Sequence, residues 1–551
     1  MMPSSDDDPD HLSRDGRIFL QRTARSIVEI QPDLHSVTDI EIFLEVLGYT
    51  KKMAVENGFH DLHNLAKSLY GFIDHYSDPD KNREAYESAL LFPVSGTGRR
   101  LAEGLSGASP WLGALAVLFF FGVSTWLAWG LALSVTTLFI LGVYIGVIVS
   151  EGPLQVFNRL FTFYYNQSNL PEVRKTLKRS YLVLALILAV ILGAIYTFGR
   201  FSNIPIGILG FAMVAATTIS FHRVSYVPIY ALKKAGDLLL SYFLAFVSLL
   251  AIYFLLPGLL PYAATRYLVA LVAAVMILSI APIYRSYGIF TARIIYPIGT
   301  TRSPSDSPLI INKSTIRSRF GIQLWETAPY YLFGTLSFLM LFSDRVISWI
   351  FNPNHIANGI LLPLTFNVTY EIGADLALLV LFPVTIIQYV VIGPIFEQLS
   401  NLAVTKKSTE ARSIDRFLSR RYKRLLAISI GAAALVSICL IIFAPEIIML
   451  IGGSQVTVQI LRVAAFADVL MTIFAANGVF MVFLNRINSL VVITLIGASI
   501  VIIGGVALAQ FGFKWIIWAY LLSAGTVSLL SSLHVIGDLK RAGSLFFSKY
   551  V

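Results

Sequence analysis

The sequence has 551 residues, of which 56% are hydrophobic and only 13% are charged. This apolar share exceeds the roughly 45–50% of soluble domains, so a soluble protein built on one buried core is excluded. The formal net charge is +10 at pH 7, and the placement of the basic residues explains it without a nucleic-acid partner.

Residues 1–105 form a polar segment of mixed charge that contains no stretch able to span a membrane. The first residues lack the basic and apolar regions of a cleaved signal peptide. Apolar residues recur at helical spacing from Ile18 to Leu91, which predicts three or four short helices. One of them is expected to start at a capping box of Thr38 and Glu41. We predict a cytosolic helical segment that contacts a partner protein.

Two histidines of this segment are spaced as candidate metal ligands. His60 and His63 are three residues apart, but no cysteine and no further cluster of ligands accompanies them. We therefore predict neither a metal site nor a cofactor.

From Trp111 onward, the chain consists of apolar stretches long enough to cross a bilayer, which takes about 20 residues each. Their number predicts an all-α polytopic membrane protein with about twelve transmembrane helices. The predicted spans lie at about 110–130, 133–157, 180–198, 204–222, 236–256, 264–284, 327–351, 368–394, 424–443, 458–484, 489–509 and 515–536.

The loops between these spans are alternately rich and poor in lysine and arginine. Basic residues cluster after spans two, four, six and eight, whereas the opposing loops hold little beyond Arg200, Arg266 and Lys514. Since short basic loops stay in the cytoplasm, both termini and the even-numbered loops are predicted there. We expect the protein in the cytoplasmic (inner) membrane, with its basic residues facing anionic lipid headgroups.

Six spans precede a long basic loop and six follow it, which predicts two lobes of like orientation. We predict a first six-helix lobe at 106–285, a cytoplasmic linker at 286–325, and a second six-helix lobe with a short tail at 326–551. Two such lobes form a parallel repeat, as in some transporter folds.

Ionisable residues inside the spans are the most specific chemical signal, because a charge at bilayer depth costs about 3 kcal/mol unless it has a partner or faces a cavity. Most of them belong to the second lobe. They are Asp344 and Arg345 in span seven, Glu371 and Asp375 in span eight, and Arg462 and Asp468 in span ten.

Glu371 and Asp375 are one helical turn apart and therefore share a face. Two carboxylates on one face can hold a proton or a cation together, which coupling to an H⁺ or Na⁺ gradient requires. The alternative is structural: the acidic and basic residues of spans seven and ten neutralise one another between helices or extend to the interface. The sequence leaves both interpretations open.

The first lobe has fewer such charges. Glu151 and Arg159 flank the step Gly152-Pro153, where a bend in span two is expected. Because they lie near the cytoplasmic end of the span, they are candidates for meeting a polar substrate as it leaves the cytoplasm.

Two segments resemble a known family. The run SEGPLQVFNR at 150–159 is similar to the Ser-Gly-Pro-Leu-Gln…Arg segment of the Pel exopolysaccharide exporters, which belong to the MOP flippase superfamily. The run FSDRVISWIF at 342–351 resembles their span-seven signature of Asp, a basic residue and aromatics. Weaker matches lie at 461–465 and 483–486. The resemblance leaves out the N-terminal segment, and Glu151 stands where the family segment is less acidic.

This resemblance implies a two-lobed, V-shaped, alternating-access transporter that moves a polysaccharide or a lipid-linked saccharide outward. It also implies a cytosolic glycosyltransferase or synthase as a partner. Other classes remain open: a cation-coupled exporter of drugs or metabolites, a membrane-embedded glycosyl- or acyltransferase, and an accessory scaffold of a polymer synthase. The outer loops are mostly short and carry no clustered acidic or histidine site, so we predict no catalytic residues.

Overall fold

The chain divides into two compact units, Met1–Pro93 and Val94–Val551. The computed structural model describes residues 37–46, 49–76, 132–166, 170–231, 235–255, 262–291, 320–353, 356–357, 360–361, 364–387 and 411–542, together with residues 19–20, 23–24, 27, 104–105, 258–259 and 390–391.

The N-terminal unit has three described helices: α1 Val37–Val46, α2 Lys51–Glu56 and α3 Leu62–Tyr76. Helix α2 starts at Thr50, whose hydroxyl accepts a hydrogen bond from the amide of Met53 at 3.3 Å. The helices enclose a small apolar core. Its buried members include Leu20, Ala24, Ile27, Ile40, Leu44, Ala54, Phe59, Leu62, Leu65, Ala66 and Leu69.

The capping box expected at Thr38 and Glu41 is wrong, because helix α1 already includes Val37. The carboxylate of Glu41 instead lies 2.7 Å from Nδ1 of His63. At the start of α3, the amide of Asn64 donates to Oδ1 of Asp61 at 2.8 Å, as a helix cap does. This hydrogen bond lowers the pKa of the Asp61 carboxyl below its ordinary value.

The second unit is built of long helices, which confirms the predicted all-α fold class. Its first half contains α4 Leu133–Asn166, α5 Leu170–Phe201, α6 Ile206–Ser225, α7 Val227–Ala231, α8 Ala235–Leu255 and α9 Ala263–Thr291. We call helices α4–α9 the first lobe.

The second half begins with α10 Phe320–Ile350, followed by the two-residue strands β1 Ile356–Ala357 and β2 Ile360–Leu361, which pair antiparallel. The helices that follow are α11 Val368–Ala377, which continues into a 3₁₀ turn at Leu378–Leu381, α12 Ala411–Ile442, α13 Ala444–Leu450, α14 Gln455–Phe483, α15 Ile487–Ser499, α16 Gly505–Ala509 and α17 Ile516–Leu539. A π-helical turn at Ile500–Gly504 joins α15 to α16, and a 3₁₀ turn at Phe513–Trp515 precedes α17. We call helices α10–α17 the second lobe.

Ten helices among the described residues are long and apolar enough to cross a membrane, and Leu239–Leu255 forms a shorter apolar helix. These eleven helices coincide with predicted spans two to twelve, so the chain is a multi-pass membrane protein. The first predicted span, 110–130, lies outside the described residues. Several helices continue beyond the predicted apolar limits, because a helix can extend as a polar helix past the bilayer surface: α5 begins at Leu170 and α12 at Ala411.

Close helix packing in the first lobe depends on glycine. A Cβ atom at Gly142 of α4 would lie 2.8 Å from the Cα of Ala212 in α6, and one at Gly146 would lie 2.9 Å from the carbonyl oxygen of Ala216. Residues without a side chain let two helix backbones approach this closely. The hydroxyl of Ser220 in α6 also donates to the carbonyl of Gly146 at 3.1 Å.

Helices α4 and α10 pack against each other in opposite directions and join the two lobes. At one end, Tyr144 of α4 stacks on Trp349 of α10 with ring centroids 5.5 Å apart. Towards the other end, a Cβ at Gly152 would lie 2.6 Å from the hydroxyl of Thr335, and one at Gly334 would lie 3.0 Å from the carbonyl oxygen of Glu151. Helix α4 continues unbroken through Pro153.

Candidate functional site

Four charged side chains meet in the second lobe, and we call Asp344, Arg345, Glu371 and Asp375 the charge cluster. Arg345 lies at its centre and is only 2% exposed. Its Nη1 is 3.2 Å from Asp344 Oδ1, and its Nε lies 3.1 Å from Asp375 Oδ1 and 3.6 Å from Glu371 Oε2. The guanidinium also donates to the carbonyls of Leu341, at 2.7 Å, and Ala374, at 3.1 Å.

The local structure explains why these residues meet. Asp344 and Arg345 are neighbours on α10, whereas Glu371 and Asp375 lie on α11. Helix α11 starts at Asn367, whose side-chain oxygen accepts a hydrogen bond from the amide of Tyr370 at 3.2 Å. Glu371 therefore occupies the first turn of a helix, where the helix dipole favours a negative charge.

Three aromatic residues donate hydrogen bonds to the carboxylates of the cluster. Trp349 Nε1 donates to Glu371 Oε1 at 2.6 Å, and the Tyr370 hydroxyl donates to Asp344 Oδ2 at 2.8 Å. The third donor belongs to the first lobe: the Tyr144 hydroxyl lies 3.0 Å from Glu371 Oε2. The cluster is thus bonded to both lobes.

The charges of the cluster do not balance. One guanidinium faces three carboxylates, so two negative charges are uncompensated when all four groups are ionised. Among the described residues, no hydrogen-bond partner reaches Asp375 Oδ2. A buried, under-compensated acid group is costly unless it binds a proton or a cation. The arrangement can therefore take up positive charge.

Asp468 and Arg462 of α14 have different partners, so they do not form the neutralising pair that the structural alternative included. Asp468 Oδ1 accepts a hydrogen bond from the Tyr520 hydroxyl at 2.6 Å, and its Oδ2 has no partner within the described part of the chain. Arg462 Nε donates to the carbonyl of Ile441 at 3.2 Å, near the end of α12. Of the two, only Asp468 is buried.

Glu151 is also held within the protein. Its two carboxylate oxygens accept hydrogen bonds from Arg223 Nη2 and, at 2.6 Å, from Gln155 Nε2. Arg159 lies separately, with its guanidinium carbon 5.5 Å from the ring centre of Tyr330. Glu151 and Arg159 therefore have separate partners. Each has one partner where α4 packs against α10, namely Gln155 for Glu151 and Tyr330 for Arg159.

The sequence did not reveal three residues that donate hydrogen bonds to the predicted carboxylates. They are Tyr144, Tyr370 and Arg223. Arg223 directly follows predicted span four, where a basic loop residue is expected, but its side chain bonds to Glu151 and its guanidinium carbon lies 4.7 Å from the Phe338 ring centre. The signal for Tyr144 was a hydroxyl in the middle of an apolar span, because a buried tyrosine hydroxyl usually has a hydrogen-bond partner.

No protein-family model and no curated protein matches the sequence. Solved structures do resemble it. An inward-facing multidrug resistance MATE family transporter of the MOP superfamily aligns with a TM-score of 0.51 at 13% identity, over 82% of this chain and 97% of that one. An outward-facing MATE family transporter aligns with a TM-score of 0.50 at 14% identity, over 80% and 93%. The chain has the fold of these transporters.

A third structure, MATE in the straight conformation, aligns with a TM-score of 0.54 at 14% identity, over 82% of this chain and 95% of that one. The alignments therefore cover almost the whole length of these three transporters. Because the first unit ends at Pro93, an alignment over 82% of the chain includes most of the second unit.

Proposed function

We propose that the protein is an alternating-access exporter that carries a saccharide, as free polymer or linked to lipid, outward across the cytoplasmic membrane. The observation that carries the transport proposal is a buried, unbalanced charge cluster in a fold solved in both inward-facing and outward-facing states. Alternating access needs two such states around one site. A cytosolic glycosyltransferase or synthase is the proposed partner of the N-terminal unit.

The charge cluster is the proposed coupling site, and a proton is the coupling ion that fits it best. A guanidinium already occupies the centre of the three carboxylates, where a metal cation would otherwise bind. A proton needs only one carboxylate oxygen, and Asp375 Oδ2 is available for it. Uptake of a proton reduces the uncompensated negative charge and changes the hydrogen bonds that the carboxylates accept.

The saccharide is supported by the two segments that resemble the Pel exporters. Segment 342–351 contributes Asp344, Arg345 and Trp349 to the cluster, and segment 150–159 lies along α10 through Gly152 and Gln155. The two segments that resemble those exporters therefore contribute to the charge cluster and to the contact between the lobes.

The double variant Glu371→Gln and Asp375→Asn tests the coupling. We expect slower export, because neutral amides keep the shape of the cluster but cannot take up a proton. The measurement is the saccharide released by a deletion strain that carries the variant, identified by mass spectrometry and divided by the amount of folded protein. Glu446→Gln, an exposed glutamate of α13, is the matched control. Export equal to that of the control would rule out coupling at these two carboxylates.

A multidrug exporter is the second candidate, because the similar solved structures include multidrug resistance transporters. The same strains distinguish the two functions. Loss of the secreted saccharide without a change in dye accumulation supports the saccharide, whereas dye accumulation with normal saccharide secretion supports the drug exporter.

A further inference from the structure

Tyr144 lies in the first lobe, yet its polar and aromatic contacts in the structure are with the second lobe. Its ring stacks on Phe342 with centroids 4.5 Å apart and planes inclined by 15°, and on Trp349 at 5.5 Å and 22°. Its hydroxyl donates to Glu371 Oε2 at 3.0 Å. The side chain is only 1% exposed. A hydroxyl of the first lobe is thus hydrogen-bonded to a carboxylate of the second lobe.

Glu371 accepts one hydrogen bond on each oxygen. Trp349 Nε1, from its own lobe, donates to Oε1, and Tyr144 donates to Oε2. An ionised carboxylate is a pure acceptor and satisfies both donors, whereas a protonated carboxyl group carries a donor of its own on one oxygen. A proton on Oε2 would therefore make the Tyr144 hydroxyl accept a hydrogen bond from a neutral carboxyl group instead of donating one to a carboxylate. The bond between the lobes would weaken, because it would no longer be charge-assisted.

The groups around Glu371 come from several helices, and they differ in whether they connect it to the first lobe. Its own helix contributes Asp375, and α10 contributes Asp344 and Arg345. From α4 the group that reaches it is the Tyr144 hydroxyl. Asp468 of α14, the helix packed against α11, is bonded to Tyr520. Among these described groups, Tyr144 is the one whose hydrogen bond to the cluster connects the first lobe to the second.

We propose that Tyr144 is the positioning residue that couples the protonation state of the charge cluster to the separation of the two lobes. The inference rests on the proposed function, since it assumes that the cluster takes up a proton during transport. With Glu371 ionised, the Tyr144 bond keeps α4 against the second lobe. With Glu371 protonated, that bond is neutral and weaker, so α4 is held less firmly against the second lobe and the lobes separate.

Tyr144→Phe isolates the bond, because it removes the hydroxyl and keeps the ring that stacks on Phe342. The matched control is Tyr422→Phe, which removes a buried tyrosine hydroxyl that donates to Asn477 Oδ1 within the second lobe, outside the charge cluster. Both variants are made in a Cys439→Ser background, which removes the single cysteine of the sequence.

The measurement is the distance between spin labels at Phe201→Cys and Phe511→Cys, in full-length protein at acid and at neutral pH. Phe201 ends α5 and Phe511 follows α16, and both side chains are exposed. We expect a pH-dependent change of distance in the parent and in Tyr422→Phe, and at most half of that change in Tyr144→Phe.

The outcomes separate the inference from the function on which it rests. No pH-dependent change in the parent would contradict proton coupling at the cluster, and the inference with it. A change in the parent that is equally large in Tyr144→Phe would overturn the inference alone. Should Tyr144→Phe fail to fold, Glu371→Gln provides the second test. It should fix the distance at its acid value, and a full pH response in that variant would equally overturn the role of Tyr144.

Discussion

The four residues of the charge cluster contribute unequally to stability, because one guanidinium serves three carboxylates. Removing a carboxylate reduces an excess of negative charge. Removing Arg345 leaves Asp344, Glu371 and Asp375 buried together and leaves the carbonyls of Leu341 and Ala374 without a donor from the guanidinium. Breaking a buried ion pair by deleting one partner is much more costly than losing an exposed pair.

We therefore expect Arg345→Met to destabilise the protein by about 3–5 kcal/mol, the range for leaving buried charge uncompensated. Arg462→Met is the matched control, since that guanidinium is exposed and donates to one carbonyl, and its loss should cost about 1 kcal/mol. The thermal midpoint of each purified variant in detergent, together with its yield as a single species, is the measurement. Equal midpoints for the two variants would show that Arg345 is not the electrostatic centre of the cluster.

The sequence was informative about charges and uninformative about their uncharged partners. Asp344, Arg345, Glu371 and Asp375 stand out because an ionisable residue in an apolar span is costly and needs a reason. Tyr144 and Tyr370 do not stand out, because aromatic residues are common in membrane helices and at their ends. Only the register of α4 against α10 places the Tyr144 hydroxyl beside Glu371.

At the scale of helices, hydropathy located the spans, and it could not reveal which helices touch. Span positions follow from the length of apolar sequence that a bilayer requires. Pairing depends on the shapes of the two surfaces, and here it depends on small residues. Gly152 and Gly334 allow α4 and α10 to approach, and Gly142 does the same for α4 and α6. The sequence around a glycine in an apolar run does not show which helix that glycine packs against.

Gly142→Ala tests this packing within the first lobe. The new methyl group would lie within 2.9 Å of the backbone of Ala212, which cannot move aside as a side chain can, so we expect a loss of about 1–3 kcal/mol from overpacking. Gly193→Ala, at a helical position of α5 with no atom within 4 Å, is the control. That change should be neutral or stabilise by about 0.5–1 kcal/mol, because alanine favours a helix. Thermal midpoints in detergent give the comparison, and an unperturbed Gly142→Ala would contradict the close contact of α4 and α6.

For the whole molecule, the alternation of basic loops and the order of the helices together define an orientation. Spans two to twelve coincide with helices among the described residues, so successive loops are expected on opposite sides of the membrane. The basic loops would then share one side, which the positive-inside rule predicts to be the cytoplasmic side. The proposed export needs this orientation, since a saccharide made in the cytosol would have to meet the cytoplasmic end of α4, where Glu151 and Arg159 lie.

Cysteine labelling in intact cells decides the orientation. In a Cys439→Ser background, Gln455→Cys lies in the first turn of α14 and Lys540→Cys follows α17, and both positions are exposed. They lie on opposite sides, because spans ten, eleven and twelve separate them. We expect a membrane-impermeant maleimide to label Gln455→Cys in intact cells and Lys540→Cys only after permeabilisation. The reverse pattern would place the basic loops outside, and Glu151 and Arg159 of α4 could not then meet a saccharide that arrives from the cytosol.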